Sequence, residues 1–407
     1  MYLLWKLASR NILRNTKRSI LTILLISTSV IIVIFSDGFV VGMTENMVKS
    51  ATRVFSGDAQ IHHPEFLQSY DPSYRFNLSG LVKSLQDEPL IAAVTARSIS
   101  PAMISSSANI KSVQAIGINP DTEKHLSKIE SSVIAGNYLT GDTTTEIMIG
   151  YLLAEALEVK LNDRVVLSIP TLDQSDVSQD LFRVSGIFQF NTKMMDEGMV
   201  FLPLEHSLQL LGDTNSIQEV AFNFVNPKLA EDTSLQIWQK YSSNEQVAQS
   251  WTEIFPTLST LLGMLDYTML IVGLILYMIV ALGVINSMFM SIYERTWEFG
   301  VIKAVGTTPQ QIFQLIMLEG FILAIISAVI GTLLGLLVNY LVAINGIDYS
   351  QIEFVGVTIV DPVKTVIRPI QYSQLPLWVV LLTLIACLYP AIFAARLVPN
   401  KALHKSL

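Results

Sequence analysis

The sequence predicts a membrane protein with four transmembrane α-helices and a large α+β domain inserted between helices 1 and 2. Three observations carry this reading: four long uncharged apolar runs, a long segment from Val41 to Leu262 between the first two runs, and strand and helix signals alternating within that segment. Of the 407 residues, 51% are apolar and 15% charged, which is about ten points poorer in charge than a typical soluble domain. Disordered and collagen-like classes are excluded. The net charge of −8 leaves no basic footprint for a phosphate backbone, so nucleic acid is excluded as a partner. The one cysteine, Cys387, cannot form an intramolecular disulfide, so any part outside the cytoplasm has to fold on its own apolar core.

The chain starts with a basic lead, 1–18, in which Lys6, Arg10, Arg14 and Lys17 share one stripe of a helical wheel while Leu4, Trp5, Ala8 and Ile12 occupy the other side. That pattern predicts an amphipathic helix lying in the membrane interface. The uncharged runs Ser19–Ser36, Tyr267–Tyr293, Phe321–Gly346 and Leu375–Ala395 each reach the roughly 18 to 20 residues that span a hydrocarbon core. They place the spans at 19–41, 263–292, 311–346 and 375–395. The first run is too long for a signal-peptide core and is expected to stay as an anchor. Unopposed basic residues before the first span and after the fourth (Arg396, Lys401, Lys405) put both termini, 1–18 and 396–407, in the cytoplasm. The domain 42–262 is then external, 293–310 cytoplasmic, and 347–374 a second, smaller external loop.

Within the external domain, strand, helix and extended signals at Val54–His62, Leu78–Leu85 and Ala92–Ser105 are followed much later by strand, helix and strand at Gln218–Val225, Lys228–Tyr241 and Gln246–Trp251. Two βαβ halves far apart in sequence predict one split subdomain, about 50–105 and 212–255. Between them, about 106–211, short strand-like runs (SVQAIGI, DRVVLSI, FRVSGIF, MVFLPL) and one helix near Tyr151–Leu157 predict an inserted, mainly β subdomain. Thr171–Gln179 is expected to be an exposed loop.

No catalytic constellation is expected. The phosphate-cradling G-x-x-x-x-G-K-[ST] string is missing, as are G-x-S-x-G and H-E-x-x-H. Of the five histidines only His62 and His63 are close, and neighbours on a strand point to opposite faces, so no metal site is expected. The informative stretch is Ser291–Phe313, where Glu294, Arg295, Trp297, Glu298 and Lys303 surround a short helix that Gly306 and Pro309 end. Such a helix can dock in a groove of a soluble partner with Trp297 as apolar anchor, or be a solvated connector. Glu319 lies just inside the third span, where a carboxylate has to be paired or wet; structural pairing and a part in relaying motion are both open. Asp37 and Asp266 lie at outer span ends, where interfacial solvation is expected.

The pattern E-R-x-x-E-F-G-x-x-K-A-x-G at Glu294–Gly306 resembles the coupling segment of FtsX-like ABC transporter permeases, with Phe299 at a position that is usually Ile. The ending LYPAIFAARLVPNKALH (Leu388–His404) and the opening LASRNILRNTKRSILT are similar to that family's ends. SGDAQI (Ser56–Ile61), AIGINPDTEK (Ala115–Lys124), IAGNYL (Ile134–Leu139) and Glu146–Leu167 look most like the permease subunits of the bacterial lipoprotein-releasing system. The resemblance covers the whole chain. It implies a homo- or heterodimer of permeases in the inner membrane, two copies of an ABC ATPase that hold ATP and Mg, and no cofactor on this chain. By position it implies that Glu294, Arg295, Glu298, Gly300 and Lys303 touch the ATPase. Acyl chains in those relatives sit between the first two spans, which here implies a substrate path past Phe39, Met43, Met47, Met264, Leu265 and Met269, or ordinary packing there.

Two departures stand out. One permease of that group has a proline-rich hook that recruits a periplasmic carrier, whereas Thr171–Asp180 holds no proline and three acids, Asp173, Asp176 and Asp180. The loop Asp348–Ser373 is also longer than that group's last external loop. Three functions are therefore expected in turn: extraction of a lipid-anchored substrate of the lipoprotein class, in the lipoprotein-releasing sense; mechanotransmission as in macrolide exporters, with an adaptor; or control of a periplasmic hydrolase as by the cell-division permease.

Overall fold

The computed structural model describes residues 2–78, 80–141, 145–171, 176–349, 353–354, 357–358 and 362–397. The chain forms two compact units: a helical one of Met1–Thr44, Gly263–Ile347 and Val363–Leu407, and a sheet-based one of Glu45–Leu262 with Asp348–Pro362.

In the helical unit a short helix Tyr2–Arg14 precedes four long apolar ones, Thr16–Ala51, Pro256–Glu294, Pro309–Asn345 and Pro369–Ala395. All four are long and apolar enough to cross a membrane. The helices run past the uncharged stretches because the polar residues at their ends keep helical backbone, and the first continues through Gly38 and Gly42. Local chemistry sets the starts. Thr308 and Gln311 form a reciprocal capping box with Pro309 in the first turn, and Pro369 opens the fourth long helix. Ile26, Val30 and Ile34 of the first long helix, Val280, Val284 and Met288 of the second, Leu323 of the third, and Val379 and Cys387 of the fourth make the core.

Residues 363–368 run alongside the first long helix. The Val366 amide donates to Gly38 O at 2.9 Å, and a Cβ at Gly42 would lie 1.8 Å from Lys364 O. Glycine is thus required where the strap crosses. Gly42→Leu is expected to push the strap off the helix, so that the Val366 amide exchanges its hydrogen faster in a mass-spectrometric exchange experiment; unchanged exchange over 363–368 would contradict the contact. Residues 350–352, 355–356 and 359–361 of the expected 347–374 loop lie outside the described residues, and 369–374 already belong to the fourth long helix.

The second unit is built on strands β1 (Ala59–His62), β2 (Phe76–Asn77), β3 (Ile91–Ser105), β4 (Ile110–Ile118), β5 (Val133–Gly136), β6 (Glu146–Gly150), β7 (Arg164–Pro170), β8 (Val177–Phe188), β9 (Met199–Pro203), β10 (Ser216–Ile217), β11 (Glu219–Phe224) and β12 (Val247–Ser250). The main sheet has the order β12-β1-β11-β3-β4-β9-β6-β8-β5, with β7 joining β3 to β8, while β2 and β10 pair separately. The strands expected in the split and inserted subdomains therefore share one hydrogen-bonded sheet. Their expected border falls in the turn of the long β3–β4 hairpin, whose nine residue pairs run from Arg97↔Ile118 to Ser105↔Ile110.

The short strands read as unbroken apolar runs because they are buried on both faces. In β6, Ile147 and Ile149 enter one core cluster and Met148 the other; in β9, Val200 and Leu202 part from Phe201 in the same way.

Three local expectations are corrected. Val54–Ser56 is the end of a π-helical turn, Thr52–Ser56, and only after Gly57 at φ +80° does β1 begin. The expected helix Lys228–Tyr241 is two pieces, Pro227–Glu231 and Gln236–Lys240, because the Asp232 carboxylate accepts from the Ser234 amide and hydroxyl and turns the chain between them. Trp251 leaves the last strand, since Ser250 caps the helix Trp251–Ile254. Of the expected loop Thr171–Gln179, residues 172–175, Asp173 among them, lie outside the described residues; Val177–Gln179 belong to β8.

At the centre of this unit Arg97 is fully buried. Its Nε and Nη2 donate to Glu123 at 3.0 and 2.6 Å, Nη1 to Glu219 Oε1 at 2.7 Å, and Nη2 also to Phe55 O at 2.6 Å. The guanidinium lies 4.0 Å from the centre of the Phe55 ring. Burial opposes its charge, but Glu123 and Glu219 outweigh that and hold its proton more tightly than usual.

Candidate functional site

The short helix Thr296–Ala304 joins the second and third long helices. Arg295 stands at its N-terminal border, 4% exposed. Its Nη1 donates to both oxygens of Glu319 at 2.9 and 3.1 Å, its Nε reaches Glu298 Oε2 at 3.3 Å, and its guanidinium lies 5.0 Å from the centre of the Phe299 ring. Asn11 Nδ2 donates to Glu319 Oε1 at 2.7 Å. Arg14 pairs with Glu298, and Arg18 with Glu294 at 3.0 Å. One polar network thus ties the N-terminal helix and the short helix to a carboxylate within the third long helix, while the Arg18–Glu294 pair separately joins the first long helix to the end of the second. The short helix has charge-assisted connections to two neighbours, the N-terminal helix and the third long helix.

The sequence-derived contact set separates into two kinds. Trp297 is 54% and Val305 85% exposed, with Glu294 and Glu298 partly open beside them. Arg295 and Gly300 are buried, so they face the bundle and cannot offer surface to a partner in this conformation. Lys303 Nζ donates to Ala395 O and Leu397 O at 2.7 and 2.6 Å, satisfying carbonyls at the end of the fourth long helix, and burial lowers its proton affinity. Asn11, Arg14 and Arg18 are functional candidates that sequence reasoning missed. The regular spacing of the basic stripe pointed to a membrane face, and nothing local in it marks the Glu298 pairing.

A second feature of the helical unit is an apolar cleft of about 700 Å3 among the first, second and fourth long helices, lined by Val33, Asp37, Met269, Tyr277, Leu375 and Trp378 among others. Of the six expected path residues Met269 lines it. Phe39 stacks on Phe35 at 5.7 Å, Met43 and Leu265 are half-buried, and Met264 is 62% exposed. Met47 is fully buried in the other unit, so it offers no surface. The fourth helix's share in the cleft was not anticipated. Neither was the partner of Asp37, which Arg368 Nη2 meets at 2.7 Å instead of leaving it to solvent; the Asp266 side chain lies outside the described residues.

The family description "MacB-like periplasmic core domain" matches residues 19–250, and "FtsX-like permease C-terminal" matches residues 270–399. The chain is 23% identical over 214 residues to an ABC transporter permease of Methanocaldococcus jannaschii, covering 50% of each, so it spans half the length of that relative. It is 20% identical over 333 residues to the lipoprotein-releasing system transmembrane protein LolE of Haemophilus influenzae, covering 79% of this chain and 80% of that one. With LolC of the same system from Buchnera aphidicola it shares 22% over 303 residues, 71% of each. The long helices, the α/β domain between the first two of them, and matches that together run from residue 19 to residue 399 lead to one assignment: this chain belongs to the FtsX-like ABC transporter permeases with a MacB-like periplasmic core domain.

Proposed function

We propose that this permease extracts a lipid-anchored substrate, of the lipoprotein class, from the inner membrane towards the outer membrane, using ATP hydrolysed by a partner. The observation that carries the reading is the apolar cleft among three long helices with the Asp37–Arg368 ion pair at its edge. Acyl chains suit the apolar wall, and a polar head suits the charged pair. The similarity to LolE and LolC along most of the chain supports the same cargo class. In this reading both termini and the Thr296–Ala304 helix are cytoplasmic and the α/β domain is periplasmic. Two ATPase copies carry ATP and Mg, a second permease, identical or homologous, completes the path, and a periplasmic carrier receives the product.

The test places a photoreactive residue at Trp378 or, as control, at exposed Leu333 of the third long helix. An acylated polypeptide cross-linked at 378 and not at 333 is the expected result; equal or absent adducts would overturn the cleft as the path. Trp297→Ala is expected to weaken ATPase binding roughly tenfold or more, as loss of an aromatic anchor does, in a titration of ATPase onto the permease held in nanodiscs. Unchanged affinity would remove Trp297 from the interface.

A second reading, mechanotransmission as in macrolide exporters, is favoured by the MacB-like core match over more than half of the chain. It places the substrate in the periplasm, brings in an adaptor protein, and leaves the cleft to ordinary lipid.

A further inference from the structure

The α/β unit holds a pocket of about 210 Å3 whose wall is formed by Phe55, Gln60, Tyr70, Met194, Glu219 and Phe255 among others. Gln60 is 97% buried, with only 3% of its surface exposed. Its Nε2 donates to Ser56 O at 2.9 Å, which fixes the orientation of the amide, because the flipped form would set two oxygens against each other. The Oε1 atom is therefore the one left without a partner among the described residues. A buried acceptor in that state lacks a donor.

Glu219 adds a second demand of the same kind. It gives Oε1 to Arg97, and no described donor reaches its other oxygen. The buried cluster sets one guanidinium against two carboxylates, all with side chains at most 4% exposed. Burial raises the carboxyl of Glu219 above its usual range, with Arg97 opposing. The residues lining the pocket thus include an unpaired carbonyl oxygen, a carboxylate short of counter-charge and aromatic rings, which together suit a cation that donates hydrogen bonds.

We propose that this pocket binds a small organic amine, its ammonium donating to Gln60 Oε1 and Glu219 and its apolar body lying against Phe55, Tyr70 and Phe255. The site is separate from the cleft among the long helices and stands or falls independently of the lipoprotein reading. Part of its wall comes from residues 50–56, the end of the first long helix and the π-helical turn after it, and from 254–255, just before the second long helix.

The test uses the full chain in nanodiscs and phenethylamine as the probe, with 2-phenylethanol as its uncharged counterpart, by ligand-observed NMR titration. The expected result is saturable binding of the amine and not of the alcohol. Gln60→Met is expected to weaken the amine roughly tenfold or more, the usual loss for one hydrogen bond to a charged group. Met194→Trp, at a position 72% exposed on the pocket's rim, fills the mouth without touching the core and is expected to abolish binding. Equal binding of amine and alcohol, or amine binding unaffected by both substitutions, would overturn the proposal.

Discussion

Glu319→Leu is expected to lower the stability of the helical unit by about 3 to 5 kcal/mol, the usual result of leaving one partner of a buried ion pair alone. Arg295 would then keep its charge among Phe299 and the helix bundle with only the Glu298 contact at 3.3 Å. Cys387 supplies the readout. It is the only cysteine and is fully buried, so its reaction with a thiol-reactive dye on heating reports opening of the bundle. Labelling at a markedly lower temperature than in the wild type is the expected outcome.

The double substitution Arg295→Met with Glu319→Leu removes both charges and is expected to restore most of that stability. It also separates pairing from relaying. If the network only holds the fold, the stable double variant keeps ATPase stimulation; if it transmits motion, the double variant is stable and uncoupled. A double variant no more stable than the single one would contradict the account of the pair.

Arg97→Met is expected to have an effect of similar size on the other unit, about 3 to 5 kcal/mol, because it strands two buried carboxylates at once. It also takes the donor from Phe55 O at the end of the π-helical turn. Glu219→Gln is expected to be much milder, since it brings the cluster to neutrality and keeps an acceptor for Arg97. Limited proteolysis of the full chain checks both: rapid cleavage within 45–262 for Arg97→Met, and a pattern near the wild type for Glu219→Gln. Equal sensitivity of the two variants would show that charge balance does not govern this core.

The parts of this molecule that were legible beforehand are those that local pattern decides. Uncharged runs located four long helices, and β-branched runs between Gly, Asp and Pro located β4, β7, β8 and β9. What local pattern cannot carry is pairing across the chain. Asp37 and Arg368 lie 331 residues apart and Arg97 and Glu219 lie 122 apart, and nothing near either member announces the other. The single sheet was hidden for the same reason, because strand composition does not say which strands become neighbours.

The coupling segment shows both sides. Its charges mark it as a place where chemistry is concentrated, yet Arg295 and Lys303 serve the bundle rather than a partner surface. A guanidinium that docks on a neighbour and one that pairs with a carboxylate in the next helix look identical in sequence.

Native mass spectrometry of the permease purified with its ATPase in lipid tests the central claim most directly, because one spectrum reads stoichiometry and bound mass together. The account predicts two permeases, two ATPases and a retained acylated polypeptide. A complex that carries no acylated mass and holds a periplasmic adaptor instead would contradict extraction and assign the cleft to lipid.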